Sequence, residues 1–226
     1  MIYYSLWEAA SVGVEEVFLV VNKDKTLLIE YVKEEKFIND LKIALLEQPY
    51  PWGSGDAVFR AKEGVGDEPF ALLMPDFVLF EADPPLAQML KVFERWGAET
   101  VGVVEVRRGE ERYFGNVGIL EGFLLGDGIM EVKDLSEKRK EEWRIEGDKA
   151  LKGVGRWILF PSFFDLLEES RGEGEWDDTP ALQLLCQRRR VMGRILEGRG
   201  FDVGNLEGYK AAQDFLANRR SIDTVR

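Results

Sequence analysis

The sequence contains no histidine among its 226 residues. This absence excludes Ser-His-Asp and Cys-His catalysis, and it excludes zinc bound by histidine. Any chemistry must therefore use carboxylates, lysine, arginine, backbone donors or a metal with oxygen ligands. A magnesium ion held by aspartates and by substrate phosphates fits that set of groups.

The sequence has a single cysteine, Cys186, and no long apolar run. An intramolecular disulfide is excluded, which is typical of proteins in a reducing cytoplasm, and we expect a cytoplasmic location. No apolar stretch reaches the roughly 18 residues that a membrane helix needs, and the first residues lack the pattern of a signal peptide. We therefore expect no contact with a membrane.

Positive charge is also scarce, because 30 Lys and Arg face 42 Asp and Glu, for a formal net charge of −12. An acidic surface repels nucleic-acid backbones, and no basic run is interleaved with aromatic residues. The densest basic cluster, QRRRVMGR at 187–194, is short and typical of a solvated helix end. We expect no nucleic-acid partner.

What the sequence does have is an alternation of two hydrophobic periods. Apolar runs at 14–22, 69–76 and 99–107 predict strands, and segments such as 84–97 between them predict helices. Helices between strands imply crossover connections, so an α/β fold with a mostly parallel sheet is expected in this half. Residues 108–160 combine strand-like runs with Gly-rich turns, which predicts a mixed-sheet extension.

Two aspartates follow predicted strands that are far apart in sequence. Asp76 ends the run at 69–76, and Asp202 follows a later strand. Ligands of open α/β sheets bind beyond the carboxyl ends of strands, so the two carboxylates could share one Mg²⁺ if their strands are neighbours. The alternative is structural and more common on spacing alone: Asp76 starts a turn, and Asp202 caps the last helix.

Gly53, Ser54 and Gly55 form a turn before a predicted helix. The glycines would let the backbone approach a ligand, although a plain turn, with Ser54 as the helix N-cap, is the more common explanation of such a pattern. Lys133, on or after a predicted strand, could bind a phosphate as a point charge. An ordinary surface lysine is the alternative.

An ordered set of motifs gives these residues a context. They are GSGDAVFRAKEGVGDEPFALLMPD (53–76), YFGNV (113–117), EVKD (131–134), GVGRWIL (153–159), GEWDDTPALQLL (174–185) and FDVGNLEGYKAA (201–212). In this order they resemble the motifs of the bacterial UTP–glucose-1-phosphate uridylyltransferases, which are sugar-phosphate nucleotidyltransferases. The resemblance covers nearly the whole chain, and its specificity comes from the set.

The resemblance implies a Rossmann-like nucleotidyltransferase fold of the α/β class, with a mixed central sheet and helices on both faces. It implies one domain over 1–226, with a nucleotide-binding half at 1–107 and a sugar-phosphate-binding half at 108–226. It also implies that the family's first strand and its Gly-rich loop, of the form GxGTRxxPxTK, are missing here. The implied reaction is Mg²⁺-dependent transfer of a uridylyl group from UTP to glucose 1-phosphate, giving UDP-glucose and pyrophosphate.

The resemblance also implies site residues on the nucleotide side. Gln48 and Gly53 match positions that hold the uracil, and Gly55 lies in the same turn. Asp76 and Asp202 match the family's Mg²⁺-binding aspartates. These are the residues that we expect to bind UTP and the metal.

On the sugar side, Lys133 matches the lysine that contacts the sugar phosphate. Gly115 lies in the motif that approaches the sugar, and Glu175 lies in the motif that comes later in the chain. Three positions depart from the family. Asp56 replaces its His, Val132 replaces a Glu that would hold sugar hydroxyls, and Asp134 replaces its Pro.

These departures and the missing loop motivate an alternative from another class. The chain could be a catalytically inactive relative that binds a nucleotide or sugar nucleotide as a regulator or a partner subunit, or a scaffold that keeps only the fold. Assembly into a homo-oligomer is left open by the sequence.

Overall fold

The computed structural model describes residues 1–34, 41–115, 118–136 and 144–223. Its helices are α1 (Ile2–Ser11), α2 (Thr26–Glu34), α3 (Ser54–Phe59), α4 (Lys62–Val65), α5 (Pro85–Trp96), α6 (Phe163–Glu169), α7 (Thr179–Arg188) and α8 (Leu206–Asp223). Its strands are β1 (Glu16–Val21), β2 (Lys42–Glu47), β3 (Phe70–Leu73), β4 (Phe77–Phe80), β5 (Glu99–Arg107), β6 (Ile119–Gly126), β7 (Ile129–Leu135), β8 (Lys149–Leu159), β9 (Val191–Ile195) and β10 (Arg199–Asp202). No helix in these ranges is long and apolar enough to cross a membrane.

The largest sheet has six strands in the order β3-β8-β5-β9-β7-β6. Only β5 and β9 run parallel in it, and the other neighbours are antiparallel. β1 and β2 form a separate parallel pair, and β4 and β10 form an antiparallel pair. The mixed central sheet that the motifs imply is therefore confirmed.

The expectation of a mostly parallel first half is wrong, because β3 and β5 do not pair with each other. The 11-residue strand β8, from the second half of the chain, lies between them and runs antiparallel to both. Its residues from Arg156 to Leu159 are all buried, so the strand belongs at the centre of the sheet. Hydrophobic period alone does not reveal which strands become neighbours.

Alternation along β5 shows how both faces of the sheet are covered. Val101 and Val103 pack in a cluster with residues of α6 and α7, whereas Val104 and Val106 pack in a cluster with residues of α5. Successive side chains of a strand point to opposite faces, so the strand contributes to two cores. Helices therefore lie on both faces, as expected.

The apolar run at 69–76 forms a strand and a turn instead of one strand. β3 ends at Leu73, and β4 begins at Phe77, directly after Asp76. Pro75 has no N–H to donate to a sheet, which accounts for the end of the strand before it. The turn places Asp76 between β3 and β4.

Candidate functional site

Asp76 and Asp202 converge at one point. β10 pairs with β4 so that Asp202 lies opposite Phe77, and the Val203 N–H donates to the Asp76 carbonyl at 2.7 Å. A Cβ built on Gly204 would lie 3.1 Å from Asp76 Oδ2 and 3.3 Å from Asp202 Oδ1. The condition for a shared ligand, that the two strands be neighbours, is met.

The electrostatics of the pair reflect this proximity. Burial raises the pKa of Asp76 above its ordinary value, and the negative charge of Asp202 raises it further. Two close carboxylates repel each other unless a cation lies between or beside them. The pair is therefore a place where a cation is stabilised.

Backbone donors fix the orientation of Asp202. The Gly115 N–H donates to its Oδ2 at 2.7 Å, and the Gly204 N–H donates to its Oδ1 at 3.1 Å. The last helix is capped by Asn205, whose Oδ1 accepts the Gly208 N–H at 2.8 Å. The alternative role of Asp202 as the cap of that helix is wrong, and its carboxylate is held toward Asp76.

Arg156 fixes the position of the turn that carries Asp76. Its guanidinium, 1% exposed, donates to the carbonyls of Met74 and Phe77, on either side of Asp76. It also forms a buried salt bridge with Glu8 of α1 at 3.0 Å. Burial raises the pKa of Glu8, an effect that Arg156 opposes. The guanidinium therefore connects α1, β8 and the turn.

Lys152 of β8 is a further charged residue at this site, and the sequence reasoning missed it. It is 7% exposed. Burial lowers the pKa of its ammonium, while the charges of Asp202 and Asp76 oppose that shift. The available signal was a lysine inside the apolar and Gly-rich segment ALKGVGRWIL, since a buried lysine needs a partner charge.

The two aspartates and Lys152 line a cavity of about 180 Å³. Asp178 and Thr179 at the start of α7 also line it, and most of its other lining residues are apolar or glycine. The described cavity therefore combines one charged end with walls that could contact a sugar or base through apolar groups and backbone.

A second group of predicted residues lies on the adjoining loop. Gln48 Nε2 donates to the Gly53 carbonyl at 2.9 Å. The Gly55 N–H donates to the Trp176 carbonyl at 2.8 Å, and a Cβ on Gly53 would lie 2.2 Å from that same carbonyl oxygen and 3.0 Å from Glu175 Cγ. Only glycine fits there, so the structure brings Gln48, Gly53, Gly55 and Glu175 together.

Ser54 joins this loop to the cavity. Its hydroxyl donates to Asp178 Oδ1 at 2.6 Å and accepts the Asp178 N–H at 3.1 Å. The prediction that Ser54 is an N-cap is wrong, because Gly53 is the N-cap and Ser54 is the first residue of α3. The hydroxyl instead holds α7 against α3.

The departure at Asp56 has a structural explanation. Its carboxylate accepts hydrogen bonds from Gln48 Nε2 at 2.9 Å and from Arg60 Nε at 2.9 Å. A partly buried ion pair leaves little net negative charge facing a ligand. Asp56 therefore orients Gln48 without making the loop repulsive to a nucleotide.

Lys133 lies neither in the wall of the cavity nor on the adjoining loop. It pairs with Glu131 on the surface, and its side chain is 49% exposed. In the β6–β7 register, Asp134 lies opposite Glu121 and Val132 lies opposite Gly122, so Lys133 is the extra residue of a bulge. Val132 and Leu135 both face the core as a result, and Lys133 faces away.

No group of three or more potential metal-binding side chains occurs within the described ranges. Mg²⁺ does not need such a group, because it is often held by one or two carboxylates together with water and substrate phosphates. The oxygen donors of Asp76 and Asp202, aimed at one point, fit that mode.

Comparisons with known proteins agree with the fold. The Nucleotidyl transferase family profile matches residues 1–219. The chain is 31% identical to the UTP–glucose-1-phosphate uridylyltransferase YngB of Bacillus subtilis (strain 168), with 94% of this chain and 77% of that protein covered. It is 30% identical to the UTP–glucose-1-phosphate uridylyltransferase of Pseudomonas aeruginosa, over 95% of this chain and 84% of that protein.

A solved structure of UDP-glucose pyrophosphorylase complexed with UDP-glucose superposes with a TM-score of 0.82. The match has 26% sequence identity and covers 96% of this chain and 86% of that one. The family profile, the relatives and the shared fold lead to one conclusion: this chain is a member of the nucleotidyl transferase family and is similar to its UTP–glucose-1-phosphate uridylyltransferases.

Proposed function

We propose that the protein transfers a uridylyl group from UTP to glucose 1-phosphate in an Mg²⁺-dependent reaction, giving UDP-glucose and pyrophosphate. The observation that carries the proposal is the convergence of Asp76 and Asp202 at the charged end of the cavity. The similarity to named uridylyltransferases supports the choice of substrates.

The geometry suits a reaction that consists of positioning and charge neutralisation. An oxygen of the sugar phosphate attacks the α-phosphorus of UTP and forms a P–O bond, while the bond to pyrophosphate breaks. The attacking group is already an anion, so no general base is needed, which agrees with a chain that lacks histidine. A bound Mg²⁺ would neutralise phosphate charge and polarise the α-phosphate.

The residues of this chain have distinct roles in that scheme. Asp76 and Asp202 would hold the metal, and the Gly115 N–H keeps Asp202 in place. The loop of Gln48 and Gly53 would bind the uracil, since Gly53 lets the backbone approach the ring closely. The Gln48 Oε1 atom is the acceptor that this amide still offers to a base once Nε2 is engaged by the loop.

The test is pyrophosphate release from UTP and glucose 1-phosphate, with Mg²⁺ and with a chelator. We expect turnover only with the metal, and a loss of roughly a hundredfold or more in Asp76→Asn and in Asp202→Asn. Asp83→Asn is the matched control, because that carboxylate is 68% exposed and pairs with Lys91 on the surface. Nucleotide binding by calorimetry without any pyrophosphate release would refute the proposal and indicate an inactive relative.

A further inference from the structure

Lys152 occupies a position that structural stability alone does not explain well. Moving an ammonium group out of water is costly unless it is paired, and apolar residues of similar size are usually as stable in its place. Yet β8 carries a lysine there, 7% exposed, in the wall of a cavity that also holds Asp76 and Asp202.

The register fixes where this lysine lies in the site. Lys152 is opposite Val104 of β5 and Ile119 of β6, and the next residue, Gly153, donates its N–H to the Gly118 carbonyl at 2.7 Å. The side chain thus projects from a strand held on both sides, which fixes its Cα in a well-ordered part of the sheet. A group on a rigid strand is positioned more accurately than one on a loop.

The charges favour a phosphate as its further partner. The formal charges of Asp76, Asp202 and Lys152 sum to minus one, and a divalent cation bound to these two carboxylates would change that sum to plus one. The other carboxyl group of the lining, Asp178, accepts the Ser54 hydroxyl, and burial raises its pKa, which favours its neutral form. Phosphate oxygens are the complement of that charge, and an ammonium is a good point-charge partner for them. A carboxylate pair without Lys152 would only become neutral on binding the metal.

Lys133 cannot make the same contact in the described conformation. Because Met130 and Val132 face the core, Lys133 lies on the opposite, exposed face of β7, where it pairs with Glu131. The same register buries the neighbouring Val132 completely. Turning Lys133 toward the core side of β7 would therefore turn Val132 out of the core and disturb its packing.

We propose that the Lys152 ammonium binds a phosphate oxygen of one of the reacting substrates, and that it supplies the cation that Lys133 does not bring to the cavity. The proposal rests on the proposed function, because it names a residue that binds the substrates of that reaction. The phosphate belongs either to the sugar phosphate or to UTP, and the experiment separates these sources.

The experiment compares Lys152→Met with wild type. Removal of a hydrogen bond to a charged group predicts an increase of roughly ten- to hundredfold in the KM of the substrate whose phosphate is bound. The KM for glucose 1-phosphate is measured at saturating UTP, and the KM for UTP at saturating glucose 1-phosphate. Lys149→Met is the matched control, since Lys149 lies on the same strand but is exposed and pairs with Glu105.

Two further measurements keep the outcome interpretable. Calorimetry with glucose 1-phosphate and, separately, with pyrophosphate, without any turnover, should show weaker binding of at least one of them to Lys152→Met than to wild type, whereas uridine, which has no phosphate, should bind both proteins equally. If wild type catalyses no transfer, the proposed function fails, but these two binding comparisons still test Lys152. Lys152→Gln, uncharged but polar, replaces the Met variant if that variant does not fold.

Either of two results would overturn the proposal. One is an unchanged KM for both substrates together with unchanged pyrophosphate binding in a folded Lys152 variant. The other is a loss of phosphate affinity in Lys133→Met but not in Lys152→Met, which would return the contact to the lysine of the motif.

Discussion

Replacement of Arg156 by methionine should be among the most damaging single changes in this protein. The guanidinium is 1% exposed and donates to Glu8 and to the Met74 and Phe77 carbonyls. Methionine fills much of the volume but donates to none of them. Within the part of the chain that the structure describes, the substitution leaves the Glu8 carboxylate with the Leu86 N–H, at 3.0 Å, as its remaining donor.

The magnitude follows from the cost of breaking a buried ion pair by removing one partner, about 3–5 kcal/mol. Domains are stable by about 5–15 kcal/mol, so this loss is a large share of the total. With an m value of about 2 kcal/mol/M, the urea midpoint should fall by about 2 M. Tryptophan fluorescence and circular dichroism during urea unfolding measure that shift.

Two companion variants test the reasoning. Lys91→Met breaks an exposed pair with Asp83, so it should cost less than about 1 kcal/mol. The double variant Glu8→Gln, Arg156→Met should be more stable than Arg156→Met alone, because the uncharged amide removes the buried carboxylate charge. A urea midpoint for Arg156→Met within about 0.5 M of wild type corresponds to a loss of about 1 kcal/mol or less in the free energy of unfolding. That result would refute the account of this ion pair.

Three more predictions concern single positions. Burial and the charge of Asp202 raise the pKa of Asp76 in the folded state, so ionisation of this carboxyl group destabilises the fold as pH rises above the ordinary pKa of 3.8. Metal-free Asp76→Asn should therefore be more stable than wild type at pH 7. Urea titrations should show that this advantage vanishes below pH 3.8. Burial raises the pKa of the Cys186 thiol to about 12, so a thiol reagent at pH 8 should modify it only after unfolding; rapid labelling of native protein would contradict this. In Gly208→Ala the new Cβ would lie 1.9 Å from the Asp202 carbonyl oxygen, and thermal unfolding should show a loss of about 1–3 kcal/mol, whereas an unchanged midpoint would show that α8 shifts freely.

The sequence predicts the part of the site that depends on strand ends. Asp76 follows an apolar run, and Asp202 is the last residue of β10, so both lie near the end of a strand. The direction of the strand places polar side chains at such points, and the hydrophobic pattern of the sequence shows where a strand ends. The two carboxylates also need β4 and β10 to be neighbours if they are to meet. Only the ordered motifs imply that the two aspartates lie together.

The sequence does not predict contacts that depend on register. β8 lies between β3 and β5 in the sheet. Nothing in the local sequence pattern of β8 specifies those two neighbours. The buried ion pair of Glu8 and Arg156 likewise joins residues that are 148 positions apart in the sequence. In both cases a long-range or geometric relation decides which charges meet.

Lys133 and Lys152 show why a motif match and a site can differ. A motif fixes the order of residues along a strand, but the direction of each side chain depends on the face on which its position lies. In β7 Met130 and Val132 face the core, so Lys133 faces away and the cation of the motif lies outside the cavity, while the bulge after Val132 returns Leu135 to the core. A lysine on β8 lies in the cavity wall instead. Because electrostatics depends on the position of a charge and not on the strand that carries it, the site can keep its cation while the sequence position changes.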